Sequence, residues 1–140
     1  MGTNLLLRQA TIAVVDDDES MREALAELLQ VHSMSCHTFD CAEAFLAAYA
    51  PGKFDCLVTD FRMPVLSGLQ LQRELKSRGS TTPVIVVTSS LNPANQRRAM
   101  EHGAFAFLIK PVSNEVLLHQ LRSALERSAK PGDGSCRSAG

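Results

Sequence analysis

Hydrophobic and polar positions along the chain repeat one pattern five times: a short apolar or β-branched run, then a stretch of helical period. Thr11-Ile-Ala-Val-Val15 is the first run and reads as a buried strand. Behind it Ser20 and Glu23 form a capping box, and Met21, Ala24, Leu25, Leu28 and Leu29 fall on one helical face. Met34 to Phe39 alternates weakly as a second strand. Asp40 and Glu43 make a second capping box before a helix over Ala42 to Ala50, which Pro51-Gly52 stops. Cys56 to Thr59 is the third strand. Ser67 caps a helix through Arg78, with Leu71 and Leu75 inward and Gly79 as its terminator. Pro83 to Thr88 is the clearest strand, and Asn92-Pro93 opens a helix that Gly103 ends. Phe105 to Ile109 is the fifth strand. After Ser113 a last helix carries Val116, Leu117, Leu121, Ala124 and Leu125.

Strands that alternate with helices of this length require parallel pairing and right-handed crossovers. Runs of Val and Ile without clean alternation are covered on both faces, so helices lie on both sides of the sheet. The expected fold is α/β, a doubly wound five-stranded parallel sheet of flavodoxin-like order 2-1-3-4-5 with five helices. The domain spans 11–128. Residues 129–140, including Pro131-Gly-Asp-Gly-Ser-Cys-Arg-Ser-Ala-Gly140, have the composition of a flexible tail or the start of a linker.

Composition narrows the function classes. The 140 residues, 45% hydrophobic and 21% charged, suffice for one self-sufficient core. With 14 basic and 15 acidic side chains the net charge is −1, which leaves no electrostatic footprint for nucleic acid or an anionic membrane. The longest apolar runs, Phe45 to Ala50 and Ala104 to Ile109, fall far short of the ~20 residues a membrane span needs. Met1 to Gln9 shows no secretory pattern, so a cytoplasmic domain is expected. Cys36, Cys41, Cys56 and Cys136 are scattered without metal-site spacing and read as free thiols.

In an open parallel sheet, ligands bind beyond the carboxyl ends of the strands. Strand one delivers Asp16-Asp17-Asp18 there, strand three Asp60, strand four Thr88 with Ser89 and Ser90, and strand five Lys110-Pro111. Taken singly, each has an ordinary structural explanation: a solvated loop, a turn, a strand residue, a surface lysine. Their joint placement at one rim has a chemical logic. Clustered carboxylates repel unless a cation lies between them, and a hard divalent ion such as Mg²⁺ or Mn²⁺ with oxygen ligands resolves that repulsion. The metal neutralises an incoming phosphoryl group, a hydroxyl and a lysine hold its remaining oxygens, and one carboxylate serves as nucleophile. The set suits a transferable aspartyl phosphate.

The segments Val14-Val-Asp-Asp-Asp18, Asp60-Phe-Arg-Met-Pro-Val-Leu-Ser-Gly68, Val86-Val-Thr88 and Gly103-Ala-Phe-Ala-Phe-Leu-Ile-Lys-Pro111 resemble the receiver domain of bacterial two-component response regulators. The likeness runs from about Thr11 to Ser128, and its flavour is nearest to receivers that precede LuxR-type DNA-binding output domains. It implies that Asp60 accepts a phosphoryl group from the phosphohistidine of a sensor histidine kinase. Asp17 and Asp60 would ligate Mg²⁺, Asp16 through water, with the Arg62 backbone carbonyl completing the site. Thr88 would hydrogen-bond the phosphoryl group, Lys110 would pair with it, and Phe107 matches an aromatic whose rotamer follows that of Thr88. The Lys110-Pro111 peptide is typically cis in the family. Ser89 is small, as access to the acceptor requires, and Arg62 and Ser90 stand where the family tunes phosphoryl loss.

The resemblance further implies a protein that is not an enzyme in the ordinary sense but promotes its own phosphorylation and dephosphorylation. Its responding surface would be the helix after Thr88, strand five and the last helix, with Met100, Phe105 and Val112 as candidates for a phosphorylation-linked homodimer. The kinase would dock over the first helix and Pro111 to Asn114. This chain would contact no nucleic acid itself; a C-terminal DNA-binding domain would have to lie outside it. Three readings compete. A flavin-binding protein of the same fold would need a Ser/Thr/Gly loop after strand one, where three aspartates would repel phosphate. A haloacid dehalogenase-type Mg²⁺ phosphatase would use Asp16 and Asp18 as its D-x-D element, but the continuation fails at Ser20 and there is no cap insertion. A pseudo-receiver would bind partners without phosphorylation, against the intact acceptor set.

Overall fold

A computed structural model describes residues 10–63, 65–89 and 92–129. The five apolar runs become strands β1 (Thr11–Val15), β2 (Ser35–Phe39), β3 (Cys56–Asp60), β4 (Val84–Thr88) and β5 (Ala106–Ile109). Between and after them lie helices α1 (Glu19–Val31), α2 (Ala42–Ala48), α3 (Gly68–Ser77), α4 (Pro93–Glu101) and α5 (Asn114–Ala129). All pairings are parallel and the order is β2-β1-β3-β4-β5, as the alternation of elements implies.

The sheet is wrapped on both faces. Ile12, Val14, Val58, Ile85 and Val87 pack with Leu25 and Leu29 of α1 and Leu117, Leu121 and Leu125 of α5. On the opposite face Val15, Leu57 and Val86 meet Phe45 of α2, Leu71 and Leu75 of α3 and Ala99 of α4. Residues of β3 and β4 are buried throughout, which explains their unbroken apolar character. β2 is an edge strand with three exposed residues, and its weak alternation reflects that.

Helix boundaries depart from expectation where caps were assigned from residue type. α1 is capped by Asp18, not Ser20: Asp18 has extended backbone and its carboxylate accepts the Ser20 N–H at 2.9 Å. The helix therefore starts at Glu19. The Asp40/Glu43 box does not form either. Cys41 occupies the cap position without a side-chain bond, and α2 ends at Ala48 because Tyr49 turns to extended backbone ahead of Pro51. The other caps stand. Ser67 and Gln70 form a reciprocal capping box on α3, and Asn92 with Pro93 opens α4. In α5 the inward face includes Leu118, whereas Val116 is 46% exposed; Ala24 of α1 is likewise outward.

Cys36, Cys41 and Cys56 are free thiols, and burial pushes Cys56 up to about 12 and Cys36 up to about 11. Cys136 and the stretch 130–140, and with them the tail-or-linker expectation, lie outside the described residues. Among the described residues, no helix is long and apolar enough to cross a membrane.

Candidate functional site

Sheet register alone draws the rim residues together. Val15 pairs with Thr59, so Asp16 stands level with Asp60; Asp60 pairs with Val87, one residue before Thr88; Thr88 pairs with Ile109, one residue before Lys110. The carboxyl ends of β1, β3, β4 and β5 thus converge on one rim. Asp16 (3% exposed), Asp60 (9%) and Thr88 (0%) are buried there, while Asp17 is exposed.

The side chains make a tight charge cluster. Lys110 Nζ donates to Asp16 Oδ2 at 3.0 Å and lies 3.8 Å from Asp60 Oδ2. One carboxylate oxygen each from Asp16, Asp17 and Asp60 lie within 4.8 Å of one another, a spacing three oxygen ligands of one hard cation can adopt. Burial pushes the Asp60 carboxyl above the usual range; the Lys110 charge works against this, Asp16 adds to it, and the Arg62 and Phe61 backbone groups offset part. Burial also works against the Lys110 ammonium. Its hydrogen bond to Asp16 and the charges of Asp60, Asp16 and Asp18 nevertheless raise its pKa above the ordinary value. Two buried carboxylates facing one ammonium leave an excess of negative charge, and a divalent cation would remove it. The donor set fits such an ion.

The third aspartate does different work. Asp18 caps α1, its backbone N–H donates to Asp16 Oδ1 at 2.9 Å, and its carboxylate is not among the three gathered at the rim. Arg62 and Ser89 are exposed, and Ser90 lies outside the described residues. Phe107 is half-buried and meets Phe61 edge-on at 6.2 Å between ring centres. The Lys110-Pro111 peptide is cis. Of the candidate responding surface, Met100 is 45% exposed, whereas Phe105 and Val112 pack partly against the α1/α5 core.

Three further residues were given no role from sequence, two of them with a bearing on the site. Gly68, at the start of α3, sits so close to β3 that a Cβ there would collide with the Asp60 carbonyl oxygen and stand 2.9 Å from Phe61 Cα. Its place eight residues after Asp60 was visible, but its contact with the Asp60 backbone was not. Arg22 Nη1 donates to the Asp16 carbonyl at 2.7 Å. The available signal was a basic residue in the opening turns of a helix, where acids are favoured.

Val65 is the third. It adopts φ +68 and is 86% exposed. A β-branched residue in that region is strained by about 1–3 kcal/mol. Val65→Gly is accordingly expected to stabilise the protein by about 1 kcal/mol, after the extra chain entropy of glycine is subtracted. Urea denaturation checks it, and a lower midpoint would contradict the strain assignment.

A family model described as the response regulator receiver domain matches residues 12–122. The chain is 40% identical over 121 residues to the transcriptional regulatory protein FixJ of Azorhizobium caulinodans, covering 86% of this chain and 57% of that protein. It is 38% identical over 124 residues to the transcriptional regulatory protein TdiR of Thauera aromatica, covering 89% and 55%. Among solved structures it resembles a response regulator receiver domain protein from Clostridium thermocellum, with a TM-score of 0.80, 30% identity, and coverage of 84% and 95%. The chain spans little more than half the length of the curated relatives it matches.

Proposed function

Since this chain belongs to the response regulator receiver domain family of two-component signalling, we propose that its acidic rim is a phosphoacceptor site and that Asp60 is the acceptor. The carrying observation is the Lys110 ammonium held 3.0 Å from Asp16 and 3.8 Å from Asp60, beside carboxylates spaced for one cation. An Asp60 carboxylate oxygen attacks the phosphorus of a sensor histidine kinase's phosphohistidine, the P–N bond breaks, and the kinase imidazole leaves as the phosphoryl group becomes the acyl phosphate. Thr88 and Lys110 then receive the phosphoryl oxygens. Asp17 and Asp60, Asp16 through water, and the Arg62 backbone carbonyl would hold Mg²⁺ or Mn²⁺. When bound, the ion supplies charge neutralisation between the carboxylates and the incoming phosphoryl group. The domain promotes its own phosphorylation and dephosphorylation.

The receiver unit is residues 11–128, working in the cytoplasm, with α1 and Pro111 to Asn114 as the kinase-facing rim. An added charge of about −1.5 to −2 at Asp60 draws Thr88 and Lys110 toward it and biases α4, β5 and α5. Exposed Met100 belongs to that face and supports a phosphorylation-linked homodimer. The output is a partner or a DNA-binding module carried elsewhere in a longer protein; the relatives named as transcriptional regulators are longer and favour the latter.

The test is intact mass after incubation with acetyl phosphate, with and without Mg²⁺, with elution volume followed in parallel. One added phosphoryl mass that requires Mg²⁺ is the expected result; no gain where a known receiver is labelled would favour the pseudo-receiver reading. Lys110→Ala is expected to slow this labelling about 100-fold, the usual effect of removing one electrostatic stabiliser. The same change should tighten Mg²⁺ binding, because the ammonium competes with the ion for the carboxylates. Time courses of mass gain and calorimetric titration check the two effects separately.

A further inference from the structure

Asp16 is fixed from every side. Its N–H donates to Phe39 O at 3.1 Å, its Oδ1 accepts from the Asp18 N–H at 2.9 Å, and its Oδ2 accepts from Lys110 at 3.0 Å. The remaining group, its carbonyl, accepts from Arg22 Nη1 at 2.7 Å. That distance is short for an N–H···O bond, and the donor is charged, so the contact belongs to the stronger class of hydrogen bonds. Arg22 is half-buried and sits one turn into α1, where its own N–H donates to Asp18 O at 3.1 Å.

The choice of partner is informative. Asp16, Asp17, Asp18 and Glu19 offer four carboxylates within six residues of Arg22, yet among the described residues Arg22 joins no ion pair. Its guanidinium goes to a backbone oxygen instead. A residue present to neutralise the acidic loop would seek the carboxylates. A residue that grips the carbonyl where β1 ends constrains the chain direction, and through it where the side chains of Asp16 and Asp17 project toward Asp60. The rigid fork of arginine suits that task better than an ammonium.

We infer that Arg22 is a positioning residue for the divalent cation site: by clamping the Asp16 carbonyl it holds the β1–α1 loop in the geometry that presents Asp16 and Asp17 to the ion. The inference rests on the phosphoacceptor reading of that rim and adds to it a determinant of cation affinity outside the acidic set. It also commits to a sign. Pure charge would have Arg22 repel the ion, so its removal would tighten binding; positioning has the opposite consequence.

The test is calorimetric titration of Mg²⁺ into wild type, Arg22→Ala and Arg22→Lys, each confirmed folded by circular dichroism and melted in parallel. Positioning predicts about 10-fold weaker Mg²⁺ binding in Arg22→Ala, in the range seen when a group supporting a metal ligand is removed. Arg22→Lys, which can still donate to the carbonyl, should recover affinity to within about 3-fold of wild type, on the same scale. Unchanged or tighter binding in Arg22→Ala would overturn the inference, as would a lower melting temperature with no change in affinity. Wild type that binds no Mg²⁺ and takes no label from acetyl phosphate would instead overturn the phosphoacceptor reading on which it rests. Wild type that binds and labels, beside an Arg22→Ala that binds equally well, would sink the inference alone.

Discussion

Asp60→Ala protein is expected to take up no phosphoryl group from acetyl phosphate and Mg²⁺ under conditions that label the wild type completely. The nearby carboxylates do not substitute. Asp16 is occupied by Lys110 on one oxygen and the Asp18 N–H on the other, and Asp17 is exposed, without the ammonium contact that Asp60 has. Only Asp60 ends a strand flanked on one side by the acidic loop and on the other by Thr88. The loss should not come from unfolding. Burial foremost, with Asp16 adding to it against the pull of Lys110, raises the Asp60 carboxyl above its ordinary 3.8. For an acid whose native pKa is raised, folding disfavours the charged form. Stability from this group is present at low pH and is lost as pH climbs from the ordinary carboxylate range through the raised native value. At neutral pH without divalent cation, the variant should therefore melt no lower than wild type. A variant that melts much lower would mean that Asp60 supports the fold, and the labelling result would then lose its meaning.

Gly68→Ala carries the second large effect, on stability and chemistry together. The added Cβ meets backbone, the Asp60 carbonyl oxygen and Phe61 Cα, so no flexible side chain can yield. Either α3 moves off the sheet or the end of β3 is displaced. The first costs burial of Leu71 and Leu75 and the bond from the Gly68 N–H to Phe61 O; the second moves Asp60, the proposed acceptor. Overpacking against rigid partners is expected to cost about 3 kcal/mol. Urea unfolding should show a clearly lower midpoint, and labelling of the folded fraction should slow in step. Ordinary stability with normal labelling would show that α3 can shift freely.

Most of the fold, and the gathering of four candidate residues at one rim, were legible because parallel topology does the arranging. Once Val15, Asp60, Thr88 and Ile109 are recognised as strand ends, register brings Asp16, Asp60, Thr88 and Lys110 together without further information. What escaped depends on local backbone geometry or on contacts that have no period. Ser20 and Asp18 are both competent caps, and the extended backbone at Asp18 decides between them. Val116 and Leu118 flank Leu117 with equal hydrophobic credentials, yet the inward stripe of α5 runs through 117, 118 and 121 and leaves Val116 outside. Arg22 on the Asp16 carbonyl is a side chain reaching a main-chain atom six residues back, which hydrophobic periodicity does not report. Gly68 stands in a recognisable segment, but its reason, helix and strand backbones almost touching, exists only in three dimensions.

The most direct measurement locates the phosphoryl group. Protein labelled with acetyl phosphate and Mg²⁺ would be reduced with borohydride, which converts an aspartyl phosphate to homoserine, then digested and sequenced by mass spectrometry. Homoserine is expected at position 60, with unmodified aspartate at positions 16, 17 and 18. Homoserine at any of those three, with Asp60 intact, would contradict the assignment of Asp60 as acceptor.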